Sequence, residues 1–417
     1  MRILYSVLLY LAIPLILLRL YWRGRKNPEY RRRWAERFGL VPEFPEKGCL
    51  WIHAVSVGEV RAALPLINAL QQRYPTCKVL VTTTTPTGSQ QVRQALGDSV
   101  VHTYLPYDLP GAVGRFLSRV GPRLALIMET EMWPNLYHRC ATAGIPLIIA
   151  NARLSARSTS RYLRLADFTR SVLAHTTLIA AQSELDAERF SALGAPRVRV
   201  MDNLKYDLSL PTELPAQGRV LRQSLGISRP VLVAASTHSG EDEQVLDAVL
   251  AAQQCLPDLL LVLVPRHPER FDTVANLCQQ RGLSVVRRSL GQSCTPTTAV
   301  FLGDSMGELL LFYAAADIAF VGGSLVPHGG HNALEAALLG LPVLFGPHMF
   351  NFVEVSERLL AARAAWRVAN AEELAAKVMQ LMSDKPLRQA AGQRARAVVE
   401  ENRGALANVL ALIDRIV

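Results

Sequence analysis

The chain has no C-x-x-C pair and no cluster of cysteine with histidine; Cys49, Cys77, Cys140, Cys255, Cys278 and Cys294 stand far apart. That spacing argues against structural zinc and against a disulfide framework, as expected in a reducing compartment. Only 19% of the 417 residues are charged and half are hydrophobic, which rules out a disordered or collagen-like chain and is enough for two ordinary domains.

Positive charge is scarce where a nucleic-acid binder would need it. The net charge is +10, yet residues 1–40 hold Arg2, Arg19, Arg23, Arg25, Lys26, Arg31, Arg32, Arg33 and Arg37 against Glu29 and Glu36. That segment alone carries +7, and the other 377 residues carry +3. A protein that tracks a phosphate backbone spreads its cations over a folded face. Here the excess sits beside an apolar run, so nucleic acid is not the expected partner.

That run, Ile3 to Leu18, is 16 residues without a formal charge. As a helix it reaches about 24 Å, short of the roughly 30 Å hydrocarbon core unless Arg19 snorkels and Leu20 to Trp22 join it. A cleaved signal peptide would carry its charges before the run and a small-residue site after it. This chain has one arginine before, a dense basic cluster after, and no A-x-A. A buried helix is a further alternative. The favoured reading is an uncleaved membrane anchor over residues 1–22, with the body on the cytoplasmic side by the positive-inside rule and Tyr21 and Trp22 at the interface. The basic cluster also suits anionic lipid.

Beyond about residue 48, short β-branched runs alternate with amphipathic stretches. The expected strands are Leu50–Ala54, Lys78–Thr82, Leu124–Met128, Pro146–Ala150 and Leu178–Ala181, in a domain over residues 23–206. Pro230–Ala235, Leu259–Val264, Ala299–Leu302, Ile318–Val321 and Val343–Phe345 follow, in a domain over residues 216–417 with closing helices. Residues 207–215 contain two prolines and neither period, and read as a linker. The alternation predicts an α/β fold of two doubly wound, mostly parallel sheets facing a cleft, with ligands beyond the carboxyl ends of the strands.

Strand ends carry the candidate chemistry. Ser56 and Glu59 stand at S-x-x-E spacing after the first strand, which reads as a capping box and also as a general base at the cleft; the two are compatible. Glu129 and Glu131, in Met128–Asn135, could divide acid and base work or simply be solvated. Arg153 and Arg157 suit an anion or surface ion pairs. Arg266 and His267 end a strand of the second half, where either could hold a phosphate; nothing there has metal spacing. The glycine-rich Val321–Ala336 runs from a strand into a helix expected to be capped at Asn332, so its free N–H groups and dipole would meet an anion. Its spacing is neither Walker A nor G-x-G-x-x-G, which counts against a P-loop NTPase or a dinucleotide enzyme. Glu335 could accept from ribose hydroxyls or close a second capping box.

In order, these motifs resemble the 3-deoxy-D-manno-octulosonic acid (Kdo) transferases of Gram-negative lipopolysaccharide synthesis over nearly the whole chain. The resemblance rests on residues 32–39, His53–Glu59, Thr84–Gly88, Leu105–Asp108, Met128–Asn135, Asn151–Ser158, Val264–Arg270, Gly303–Glu308 and Gly329–Glu335. It implies a GT-B glycosyltransferase that moves Kdo from CMP-Kdo onto a tetraacylated lipid A precursor, with inversion and with no cofactor or bound metal. It implies a general base at Glu59 and transition-state stabilisers at Glu129 and Lys205. Donor contacts carry over to Arg266 and His267, to Met306, Gly307 and Glu308, and to Asn332, Ala333, Leu334 and Glu335. Asp202 departs from the family, which more often has glycine before the Asn203-Leu-Lys205 stretch. The residues suit the chemistry: departing CMP builds positive charge on the sugar and negative charge on phosphate, which asks for cations such as Arg266 and Lys205. The alternatives are a GT-B nucleotide-sugar epimerase, which needs neither anchor nor lipid acceptor, and a non-catalytic membrane-bound adaptor, which needs no cleft-rim carboxylates.

Overall fold

A computed structural model describes residues 1–44 and 47–417, apart from the Lys26 side chain, whose share in the basic cluster lies outside the described residues. The chain divides into two units, Met1–Asp207 with Asn402–Val417, and Leu208–Glu401.

The first unit is built on seven parallel strands: β1 (Leu50–His53), β2 (Val79–Thr83), β3 (Val101–Tyr104), β4 (Leu124–Met128), β5 (Leu147–Ala152), β6 (Leu178–Ala181) and β7 (Val198–Val200). They lie in the order β3-β2-β1-β4-β5-β6-β7. A parallel sheet is covered on both faces, which is why its inner strands read as unbroken apolar runs. Alternate residues feed two cores: Leu50, Ile52, Leu124 and Leu126 pack with the helix Val57–Arg73, while Trp51, Ala125 and Ile127 pack on the opposite side. Each large apolar side chain buried this way contributes about 1.5–3 kcal/mol.

The second unit repeats the plan with β8 (Val231–Thr237), β9 (Leu260–Pro265), β10 (Val285–Arg287), β11 (Val300–Leu302), β12 (Ile318–Val321), β13 (Val343–Phe345) and β14 (Ala365–Arg367). Their order is β10-β11-β9-β8-β12-β13-β14, so the winding reverses between β8 and β12. All ten expected strands are present. The four without a sequence expectation, β3, β7, β10 and β14, are the outermost strands of the two sheets. Edge strands are partly solvated, so they lack the apolar run that betrays an inner strand.

The N-terminal helix spans Arg2–Lys26 and passes through Pro14, four residues beyond the expected anchor. At 1.5 Å per residue it is about 37 Å long, and it is long and apolar enough to cross a membrane. Leu11 is 71% exposed, as few contacts hold the helix to the unit. One of these is near its start, where Ser6 Oγ donates to Asn135 Oδ1 at 3.1 Å.

The closing residues do not stay with the second unit. Ala405, Val409 and Ile413 of the last helix join the first core. Asp207 secures the return by accepting from the N–H groups of Gly404 at 2.9 Å and Leu406 at 2.8 Å. The expected 216–417 domain therefore ends at Glu401, because the first sheet needs the apolar face of that helix as cover. The helix Leu214–Leu225 also begins inside the stretch expected as a linker.

Candidate active site

In the first unit the candidate residues gather beyond the carboxyl ends of β1, β4 and β7. Ser56 caps the helix Val57–Arg73, accepting from the Glu59 N–H at 3.5 Å. The Glu59 carboxylate reaches back to accept from the Val55 N–H at 2.8 Å and the Ser56 hydroxyl at 3.1 Å. The capping box forms, and it positions the carboxylate without sealing it off, because Glu59 stays half-buried.

Glu129 follows β4 directly. Its N–H still bonds the Ala150 carbonyl at 3.0 Å, while its φ of +55° turns the chain out of the sheet. A left-handed residue with a side chain costs about 1–2 kcal/mol, so this turn is held against local preference. Its carboxylate lies 3.4 Å from Lys205 Nζ. Burial, with the charges of Glu129 and Glu131 adding to it, raises the Glu59 carboxyl to about 7. Burial and then Glu129 raise Glu131 to about 7 as well. Three carboxyls thus share one neighbourhood, a setting that favours keeping a proton near neutral pH.

Lys205 sits in a short turn, Leu204–Tyr206, which is fixed by a triangle of buried amides. Asn203 Oδ1 accepts from the Lys205 N–H and Asn151 Oδ1 from the Leu204 N–H, both at 3.0 Å. Asn203 Nδ2 donates to Gln182 Oε1 at 3.1 Å, and Gln182 Nε2 donates to the Asn151 carbonyl at 2.8 Å. These bonds fix the turn, while Asn151 Nδ2 is buried without a hydrogen-bond partner among the described residues. Sequence reasoning missed Gln182, whose one signal was a polar side chain directly after the apolar run of β6. It read Asn151 only as the neighbour of Arg153 and Arg157, and both arginines are exposed. Asp202, the departure from the family, has φ +61°. A left-handed position explains glycine there, and aspartate is among the residues that tolerate it.

In the second unit Arg266 and His267 follow β9, Met306, Gly307 and Glu308 follow β11, and Asn332, Ala333, Leu334 and Glu335 follow β12. Glu308 is held by Arg288 through two bonds of 2.6 and 3.0 Å, which hold its carboxyl below the usual range. Met306 is exposed. Asn332 Oδ1 accepts from the Leu334 N–H at 3.1 Å and its Nδ2 donates to Glu335 at 3.4 Å.

The glycine-rich loop corrects an expectation. In its first part the N–H groups do not wait for an outside anion: fully buried Glu241 accepts from Gly323 at 2.6 Å, Ser324 at 3.0 Å and Leu325 at 2.9 Å. The following helix is only the five residues Leu334–Leu338, with Ala333 rather than Asn332 at its N-cap. The loop can run this close to β8 because Gly322 has no side chain; a β-carbon there would lie 2.6 Å from the Ser236 carbonyl oxygen. Of the histidines near this loop, sequence reasoning singled out His267 alone. His238 is distant in sequence from His328 and His331, and they come together only through the β8 and β12 loops. Among the described residues, no group of three histidine, cysteine, aspartate or glutamate side chains is placed to hold a metal ion.

Two units of parallel sheet, each with polar side chains beyond its strand ends, define a GT-B glycosyltransferase architecture. Residues 243–398 match the family of group 1 glycosyl transferases, and residues 32–208 match the family of 3-deoxy-D-manno-octulosonic-acid transferase, or kdotransferase. In fold the chain is similar to MurG of Acinetobacter baumannii, at 14% identity and a TM-score of 0.57 over 89% of this chain and all of that one. It is similar to the UDP-GlcNAc 2-epimerase of Neisseria meningitidis at 14% identity and a TM-score of 0.56, over 88% of this chain and 99% of that one. The fold is thus shared by transferases and epimerases. Sequence separates them: the 3-deoxy-D-manno-octulosonic acid transferase of Haemophilus influenzae is 45% identical over 99% of this chain and 98% of its own length. The chain belongs to the Kdo transferase family.

Proposed function

We propose that the protein transfers Kdo from CMP-Kdo to a hydroxyl of a tetraacylated lipid A precursor, inverting the anomeric carbon without a bound metal. It does so at the cytoplasmic side of the inner membrane, held there by the helix Arg2–Lys26 and by the attraction of the basic residues after it for anionic lipid.

The observation that carries this reading is Glu59, a half-buried carboxylate fixed by its own cap and raised to about 7. A base of that strength is largely ionised just above neutral pH and still binds a proton well. Glu59 takes the proton of the attacking hydroxyl as the new glycosidic bond forms and CMP leaves from the opposite face, and a single displacement of that kind inverts the carbon. Glu129 offers negative charge to the sugar as it becomes cationic, and its partner Lys205 offers positive charge to the departing phosphate. In the second unit, Arg266 and His267 meet the CMP phosphate. Met306, Gly307 and Glu308, with Asn332, Ala333, Leu334 and Glu335, frame the rest of the nucleotide.

Mass spectrometry of the lipid formed from CMP-Kdo and lipid A precursor tests donor, acceptor and number of sugars together. Lipid gaining the mass of Kdo, in the presence of a chelator, supports the proposal; a rearranged free sugar with unlabelled lipid overturns it. Glu59→Gln keeps the capping contacts and should lower turnover by at least about 100-fold, the scale of lost general-base catalysis. Near-normal transfer by that variant removes Glu59 as the base.

A further inference from the structure

Four imidazoles converge where the winding of the second sheet reverses. His238 follows β8, His267 follows β9, and His328 and His331 lie in the loop after β12. The ring of His238 is stacked on that of His328, with centroids 4.2 Å apart and an angle of 17°. It lies parallel to that of His331, within 7° and with centroids 5.1 Å apart, and meets that of His267 edge-on at 5.4 Å. His238 Nε2 and His331 Nε2 are 2.8 Å apart.

The backbone is shaped to bring these rings together. Ser236, at φ +58°, is the bulge that breaks the β8–β9 register just before His238. Gly323, at φ +68°, leaves room for two rings at once, since a β-carbon there would stand 3.3 Å from both His238 and His331. Glu241 then locks the two loops by accepting from the N–H groups of His238 and Gly323.

Two ring nitrogens 2.8 Å apart hold one proton between them: one donates and the other accepts. Two N–H groups facing each other at that distance would repel, so the pair is not a double donor as it stands. The groups around it are largely cationic or neutral. Arg266, Arg270 and His267 come from the β9 side, and His328 from the β12 loop. Glu241 and Asp242 start the next helix; the first is consumed by backbone N–H groups and the second by Thr237 and Arg270. Burial beside these charges lowers His238 to about 4, so that ring stays neutral near pH 7. An oxyanion reverses that balance: a second proton breaks the shared N–H···N contact, the two rings part, and each Nε2–H can then donate to the same oxygen.

We propose that His238 and His331, backed by His328, form an oxyanion subsite that binds the sugar donor with uptake of one proton from solvent. The crevice at a winding reversal is where ligands of such sheets bind. The inference rests on the donor being CMP-Kdo, which offers two oxyanions, the sugar carboxylate and the phosphodiester.

The test uses the full-length protein and its His238→Gln and His331→Gln variants, with CMP-Kdo as substrate and CMP as competing ligand. Wild-type KM for CMP-Kdo should rise as pH increases from 6 to 9, approaching tenfold per unit where uptake of one proton is complete. Each variant should raise KM at pH 7 about tenfold and flatten that slope, with kcat much less affected. If CMP inhibition is unchanged in the variants, the sugar carboxylate is the anion held; if it weakens equally, the phosphate is. Variants that lower thermal stability yet keep the wild-type KM and slope overturn the subsite and leave the donor assignment intact. Wild-type protein that neither binds CMP nor transfers Kdo overturns the donor assignment, and the subsite with it.

Discussion

Lys205 Nζ lies 3.4 Å from Glu129 Oε1, and this ion pair stands beside two carboxyls, Glu59 and Glu131, that burial raises to about 7. The pair is formed by residues 76 positions apart, each on a strained or tightly networked turn. Such precision is more than a surface ion pair would repay, since exposed pairs are worth about 0–1 kcal/mol.

Replacing Lys205 by glutamine should therefore show in rate before it shows in stability. We expect kcat to fall about 100-fold, the scale for removing one preorganised charge from a transition state, with the melting temperature shifted by only a few degrees. Initial rates and a thermal melt on the same preparation check both. Loss of folding without a separable loss of kcat would count against the role.

Protonation of the carboxyl cluster predicts two opposite pH responses. Glu59 must be ionised to act, so turnover should rise through about pH 7 and flatten above it. Stability should move the other way. Glu59 and Glu131 bind protons more tightly folded than unfolded, so their contribution is full below the unfolded carboxyl range and is lost as pH rises through about 7. Melting curves from pH 5 to 8 for wild type and Glu131→Gln check the sign: the variant should lose less stability across that window.

Asp202→Gly removes a side chain from a left-handed position, φ +61°. The relief of about 1 kcal/mol is opposed by a similar gain in unfolded-chain freedom, so stability should change by less than about 1 kcal/mol. Activity should survive, because the Asn203 and Asn151 bonds to the turn do not involve residue 202. Denaturant titration and an activity assay read both.

The N-terminal helix predicts membrane association that apolar contact sustains. Leu11→Asp with Leu15→Asp places two charges near its middle, each costing about 2.5–3.5 kcal/mol in a bilayer. Vesicles containing anionic lipid should pellet the wild-type chain and leave most of the variant in solution. Equal pelleting of the two would mean that the basic residues alone hold the protein to the vesicle.

Inner strands were legible because two-sided burial writes them as apolar runs, and Leu124–Met128 coincides with β4 end to end. The edge strands were not, since Val285–Arg287 and its counterparts are only partly covered and carry no such signature. Glu59 could be read locally as both cap and base, and it has the geometry of the cap with the exposure that a base requires. Glu241 could not be read at all. Its role as the anion that fills the glycine-rich loop depends on residues more than 80 positions away, which periodicity does not register. The histidine stack escaped for the same reason.

Asp207 and Gly404, bonded at 2.9 Å, mark the point where the chain leaves the first unit and the point where it returns. Topologically the second unit is an insertion: its entry and exit lie side by side on its host, and the host's hydrophobic core includes the last helix of the chain. A short linker from Asp207 to Gly404 would bridge entry and exit, so replacing the intervening residues with one should leave the core contacts of the first unit in place.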